Sequence, residues 1–280
     1  MTTRDQFVGG ADRTRPLTQR CPACGRRPRL VTPARQVCDY CDTRWRRTPQ
    51  GPRDVRLGEQ ATWALGEPER ADPSALRRVT LGVLTGERDL DAALRLAARL
   101  APRLGGAAVL LDAGASPVAD LPADTTLHAR PLAGHFGAQR TALQRLARTP
   151  WMLQLDTDED IGANALARLP ALLRAAERDG IAALGLPRRN RVDGVLSDHY
   201  PDPQYRLCRR TVVYEGQVHE RPVVTSRARR TRLALGVPIE HAISAARVRQ
   251  RTARYDAMSA GATDTARRGD EAALLTPFRP

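Results

Sequence analysis

The chain contains no lysine: every one of its 45 Lys/Arg positions is arginine, which excludes Schiff-base and lysine general-base chemistry. Aromatic residues are scarce, at 4%. Among the arginines of residues 1–57 the aromatics are Phe7, Tyr40 and Trp45, poor support for a platform that stacks single-stranded bases. No stretch approaches the roughly 18–20 apolar residues of a membrane span, and Arg4 and Asp5 are not followed by the apolar segment of a signal peptide. These absences predict a cytoplasmic protein without a transmembrane segment. Cysteine is limited to five residues, four in two close pairs with Cys208 alone, an arithmetic unsuited to a disulfide framework.

What is present is 280 residues, 41% hydrophobic, with a net charge of +14. That length supports one substantial core with an appendage. The basic excess is uneven, because residues 1–57 hold thirteen arginines against five acids. Residues 1–20 read as a flexible basic arm. In residues 21–48, Cys21-Pro-Ala-Cys24 and Cys38-Asp-Tyr-Cys41 are separated by thirteen residues, a spacing that suits one tetrahedral Zn²⁺ held by four thiolates. Such a closed site has no open position for substrate, so this zinc ribbon would hold structure and perform no chemistry. Residues 49–76, rich in Pro and Gly, read as a linker.

From Val79 the pattern changes to RVTLGVLTG, a buried strand, then DLDAALRLAARLAPRL, with Leu90, Leu94, Ala97 and Leu104 near helical spacing, then the strand AAVLLDAG ending at Asp112. This order predicts α/β architecture with a parallel sheet, whose ligands bind at the carboxyl ends of the strands. A helix in GHFGAQRTALQRLARTP leads into the strand WMLQL, and ALARLPALLRAA and GIAALGLPRR add a helix and a strand. Residues 198–222 read as loops and short strands walling a site. The domain is expected over residues 77–258, with residues 259–280 as a loose tail.

The strand WMLQL runs into DTDED, four carboxylates in five positions of a basic chain. Asp156 and Asp158 can turn toward one hard divalent ion such as Mn²⁺ or Mg²⁺. The plain alternative is a solvated helix start, where acids interact favourably with the helix dipole. The segment GHFGAQRTALQRLARTPWMLQLDTDED, together with PDPQYRLCRR and GQVHE, resembles family 2 glycosyltransferases, in particular the branch with lipopolysaccharide core glucosyltransferases. The resemblance covers roughly Val79 to Tyr255. It implies a GT-A fold, Rossmann-like with a mostly parallel sheet flanked by helices, a nucleotide-sugar donor and a divalent metal.

By the same resemblance Thr85, Glu87, Asp112, Arg140 and Asp156 bind the donor, Asp156 and Asp158 hold the metal, and His219 and Glu220 close the far side of the pocket. Gly86, Arg88, Ala115, Pro117 and Thr141 depart from the family's pattern. Sugar transfer with inversion needs a carboxylate that takes the acceptor's proton. Glu220 is the first candidate and Asp202 the second; a salt bridge to an arginine is the structural alternative for Glu220. His219 ligates the metal or orients Glu220. Gln204 and Arg206, two apart in a strand, face one side and hold acceptor or phosphate. His135, His199 and His241 read as structural or peripheral, and Cys208 as a packed thiol.

Two functions follow. The preferred one is a metal-dependent inverting glycosyltransferase whose acceptor is a glycan, lipid-linked sugar, small metabolite or peptide, the ribbon binding acceptor or partner. The alternative is a zinc-ribbon nucleic-acid-binding protein with a non-catalytic glycosyltransferase-like domain, since a basic N-terminus suits an acidic or nucleic-acid partner.

Overall fold

The computed structural model describes residues 21, 30–31, 35–38, 43–48, 51–56, 72–117, 120–197, 202–217, 220–224, 230–258 and 272–277. The N-terminal strands β1 (Leu30–Val31), β2 (Arg35–Val37), β3 (Arg44–Thr48) and β4 (Gly51–Arg56) form an antiparallel sheet in sequence order. Along β3 the two-residue alternation buries Trp45 between exposed Arg44 and Arg46. β4 falls within the stretch expected as linker, so the small sheet extends beyond the cysteine-bearing segment.

Asp72 opens the main body by accepting a 2.8 Å bond from the Ser74 N–H at the start of a 3-10 turn, Pro73–Arg78. There follow β5 (Val79–Gly86), α1 (Leu90–Leu100), β6 (Ala107–Asp112), β7 (Thr125–Ala129), α2 (Phe136–Arg145), β8 (Trp151–Asp156), β9 (Glu159–Asp160) and α3 (Ala163–Arg178). After them come β10 (Ala183–Val192), β11 (Val195–Leu196), β12 (Pro203–Arg209), β13 (Val213–Glu215), β14 (Arg221–Val223), β15 (Thr231–Leu233), β16 (Ile239–Ile243) and α4 (Ala245–Met258).

The expected helix over DLDAALRL forms, burying Ala93, Leu96, Ala97 and Leu100 at helical spacing. Leu104 lies beyond it, because Pro102 lacks the N–H that would continue the ladder and the chain tightens into a 3-10 turn, Ala101–Arg103. One face of β5 and β8 packs Leu81, Val83, Leu153 and Leu155 against Leu96 and Leu100 of α1 and Leu166, Leu169 and Leu173 of α3. The other face buries Met152 with Leu110 and Leu143 of α2. Covered on both sides, these strands read as continuous apolar runs.

The large sheet has ten strands in the order β7-β6-β5-β8-β12-β10-β16-β9, with β11 and β15 also paired to β10. Strands β7, β6, β5 and β8 are mutually parallel. Past β8 the sheet is mixed rather than mostly parallel as expected: β12 runs antiparallel to both β8 and β10, and β9 antiparallel to β16. The reversal starts at a two-residue hairpin turn, Asp193-Gly194, both with positive φ, joining Val192 to Val195. Within the expected tail, a 3-10 turn, Ala272–Leu275, buries Leu274 against Ile243 and Val248. Among the described residues no helix is long and apolar enough to cross a membrane.

Candidate functional site

Register across the parallel strands sets Leu84 beside Asp156 and Gly86 beside Asp112. The carboxyl ends of β6, β5 and β8 therefore carry Asp112, Thr85 with Gly86, and Asp156 side by side. Strand order changes direction between β5 and β8, the switch point at which open α/β sheets leave a crevice. A side chain at Gly86 or Gly114 would meet no atom within 4 Å, so the space above these ends is open. Glu87 is exposed in the next turn, while Thr85 is buried and its Oγ1 donates to the Gly86 carbonyl at 3.0 Å. Asp112 is exposed, and its Oδ1 accepts from the Leu132 N–H at 2.8 Å, tying the segment after β7 to the end of β6.

Arg140 reaches these ends from α2. The start of that helix is held by the β13–β14 hairpin, whose Gly216 and Gln217 carbonyls each accept at 3.0 Å from Gly137 N–H and Phe136 N–H. His135 Nδ1 accepts from the Ala138 N–H at 3.0 Å. One turn on, Thr141 Oγ1 accepts from the Tyr214 N–H at 2.8 Å and lies 3.3 Å from the Tyr214 carbonyl. Gly137 is obligatory, since a Cβ there would lie 2.7 Å from the Gly216 oxygen. Helix and hairpin thus form one unit that sets Arg140 opposite Glu220.

The buried guanidinium of Arg140 donates to Glu220 Oε1 through Nε, to Gln154 Oε1 at 3.3 Å and to Asp156 Oδ1 at 3.0 Å. Arg206, from β12, donates to Asp156 Oδ2 and to Glu159 Oε1, the latter at 2.6 Å. Burial disfavours the charge on Asp156, yet Arg140, Arg206 and Arg251 hold its carboxyl far below the usual carboxylate range. Burial likewise opposes the Glu220 charge, and Arg140 overcomes it and lowers that pKa. Arg140 and Arg206 are correspondingly raised against the cost of their own burial.

Two sequence assignments meet arginines here. Both oxygens of Asp156, expected as a donor and metal contact, accept from guanidinium groups. Glu220, the first base candidate, adopts its structural alternative, an ion pair with Arg140 that makes its carboxylate a weaker base.

Beyond Asp156 the chain turns back on itself. The Glu159 side chain, fully buried, accepts from the Asp156 N–H at 3.2 Å through Oε2, and from Arg206 at 2.6 Å and Arg188 at 3.3 Å through Oε1. β9 then pairs with β16, Glu159 opposite His241, and the Ala242 N–H bonds the Asp158 carbonyl at 3.1 Å. This pins Asp158 beside β16, with Oδ2 3.5 Å from His241 Nε2 and 3.4 Å from Arg251 of α4. Burial opposes the Asp158 charge, but His241 and Arg251 outweigh it and its pKa falls.

Asp202 does not face the open space. It is 5% exposed and accepts from Arg188 at 2.7 and 2.9 Å, Asn190 at 3.1 Å and Gln204 at 2.9 Å. The expected second base is thus held by Arg188, Asn190 and Gln204. Gln204, half-buried, donates its amide N–H into the same network. Burial pushes the Cys208 thiol up to about 12, beside Tyr214, in keeping with a packed thiol.

His219, Cys24 and Cys41 lie outside the described residues. Cys21 and Cys38 are buried in one cluster with Trp45, Tyr205, Val212 and Tyr214, and the Cys38 N–H donates to the Thr43 carbonyl at 2.9 Å.

No protein-family model matches the chain, and no curated protein matches it either.

Sequence reading missed Glu159, Arg188, His241 and Arg251. His241 carried a signal: in IEHAI it alternates with Ile239 and Ile243, and all three are buried, which puts an imidazole on a core-facing side. Arg251 sits one helical turn from Arg247, which bonds Asp89 at 2.9 Å, so α4 closes over the turn after β5 as well as over Asp158.

Proposed function

We propose that the chain is a metal-dependent inverting glycosyltransferase that moves a sugar from a nucleotide-diphosphate donor to an acceptor. One observation carries the reading: residues from AQRT, DTDED, PQYRLCR and GQVHE, far apart in sequence, meet through Arg140, Asp156, Arg206 and Glu220 at the switch-point end of the central strands. That is where the family resemblance expects the donor. The four parallel strands, covered by helices, support a GT-A architecture, while the antiparallel strands beyond β8 depart from the mostly parallel sheet that the resemblance implies.

Asp158 is the fitting carboxylate for Mn²⁺ or Mg²⁺, because its Oδ1 accepts no hydrogen bond among the described residues and its side chain is 16% exposed. A bound divalent ion would neutralise the diphosphate leaving group. Asp112 and Glu87, exposed at the strand ends, are available to the nucleoside, and Arg140 and Arg206 orient Asp156. Cys21 and Cys38, with Cys24 and Cys41, would hold a structural Zn²⁺. Calorimetric titration with UDP- and GDP-sugars plus Mn²⁺ tests the function. Absence of binding, or binding unchanged in Asp158→Ala, overturns it.

A second reading draws on the small N-terminal sheet. Exposed Arg44 and Arg46 of β3 pair in register with exposed Arg56 and Arg53 of β4, a basic face suited to phosphates. Salt-sensitive binding to random DNA or RNA, with no release of nucleotide diphosphate, would favour a zinc-ribbon nucleic-acid-binding protein.

A further inference from the structure

The small N-terminal sheet and the main body share one core. Trp45 of β3 and, half-buried, Val55 of β4 pack in a single cluster with Tyr205 and Cys208 of β12, Tyr214 of β13 and Leu233 of β15. Trp45 is 2% exposed, and its indole Nε1 has no hydrogen-bond partner among the described residues. A buried donor left unpaired is a cost, so apolar packing alone holds the ring in place.

The residues that receive Trp45 adjoin the two arginines that hold Asp156. On β12 the register shifts: Leu207 pairs with Leu184 and Tyr205 with Gly185, which leaves Arg206 as the extra residue of a bulge. A bulge interrupts the ladder and re-aims a side chain. The direction of Arg206 therefore depends on how Tyr205 and Cys208 beside it are packed, and both lie in the shared core. On the other side, the Tyr214 hydroxyl donates to the Tyr205 carbonyl at 3.3 Å. The Tyr214 N–H donates at 2.8 Å to Oγ1 of Thr141, the residue after Arg140.

We infer that the N-terminal sheet is a buttress of the candidate site, with Trp45 as the positioning residue that, through Tyr205 and Tyr214, holds Arg206 and Arg140 against Asp156. Opening of the small sheet then releases both arginines from that carboxylate. The sheet and the site form one cooperative unit, so the sheet is not an independent module joined by a linker. Exposed Arg44 and Arg46, on the opposite face of β3, take no part in this contact. The inference goes beyond the glycosyltransferase reading and does not depend on it.

Native-state hydrogen exchange on the full chain in increasing urea tests this. In the wild type the Cys38 amide, bonded to the Thr43 carbonyl, and the Tyr214 amide, bonded to Thr141, should open together with the same urea dependence. In Trp45→Ala exchange at Tyr214 should quicken by about a hundredfold. Nitrogen NMR supplies a readout of position: the Arg140 Nε–H signal, assigned by its loss in Arg140→Met, reports the bond to Glu220. It should move toward the signals of exposed arginines in Trp45→Ala. In Trp45→Phe, which keeps a ring and removes the unpaired donor, it should stay at the wild-type position, as it should in Arg44→Ala. Three results overturn the inference: a wild-type Cys38 amide that opens while Tyr214 stays protected, an Arg140 signal unmoved in Trp45→Ala, or one displaced as far in Trp45→Phe. The wild-type exchange decides even if Trp45→Ala fails to fold. No readout uses a sugar nucleotide, so absence of donor binding refutes the proposed function and leaves the buttress standing.

Discussion

Replacing Arg140 with methionine removes the buried cation that two part-buried carboxylates share. In the intact protein Asp156 has a second partner in Arg206 and its side chain is 27% exposed, whereas Glu220 is 14% exposed and its only ion pair among the described residues is to Arg140. Breaking a buried pair from one side costs roughly 3–5 kcal/mol, because the remaining charge is uncompensated. Since Asp156 keeps Arg206, the lower end applies, about 3 kcal/mol. The sign with pH is distinctive. In the wild type the lowered pKa values of Asp156 and Glu220 contribute stability that is fully present above their unfolded values, about pH 4, and is lost as pH falls through the folded ones. In Arg140→Met, burial raises Glu220 with only a backbone hydrogen bond opposing it. Stability should then fall as pH rises from about 4 through the raised value, making the variant weaker at about pH 8 than at about pH 5. Urea unfolding across that range measures this, and adding Glu220→Gln should restore part of the loss. A cost below about 1 kcal/mol, or a double variant weaker than the single one, would refute the shared-cation account.

Two further outcomes follow from local packing and metal chemistry. Gly137→Ala gains helix propensity worth about 1 kcal/mol, but the new Cβ lies 2.7 Å from the Gly216 oxygen and 2.9 Å from the Glu215 carbonyl carbon; overpacking of about 1–3 kcal/mol should prevail, and a raised melting temperature would contradict it. Elemental analysis of the full chain should find one zinc per molecule, with Cys38→Ser losing it; a zinc-free wild type would remove the ribbon assignment.

Strands β5, β6 and β8 were legible because their runs are largely apolar, the pattern of strands covered on both faces. Helices α1 and α3 were legible for the complementary reason, an apolar residue at every third or fourth position, whereas the arginine-rich α4 was not. Antiparallel β12 was not deduced, although Asp193-Gly194 marks a hairpin turn, because RRNRV before it is too polar to read as the continuation of a central strand. Its arginines are tolerated there because Arg188 is neutralised by Glu159 and Asp202, partners that only folding brings near.

DTDED shows the same division. Its residues alone establish a carboxylate cluster at the end of a strand, and alternation alone establishes that Trp151 to Leu155 are core. Which carboxylate does what was decided by elements elsewhere in the chain, from Arg140, 16 residues before Asp156, to Arg206, 50 residues after it, and His241 of β16. Arg206 and Arg140 take Asp156, Arg188 and Arg206 take Glu159, and β16 brings His241 against Asp158. Local sequence determines periodicity and turn chemistry, since these depend on neighbours along the chain. The charge partners of a buried carboxylate depend on the packing of β12, β16, α2 and α4 around it, and that is a property of the tertiary structure.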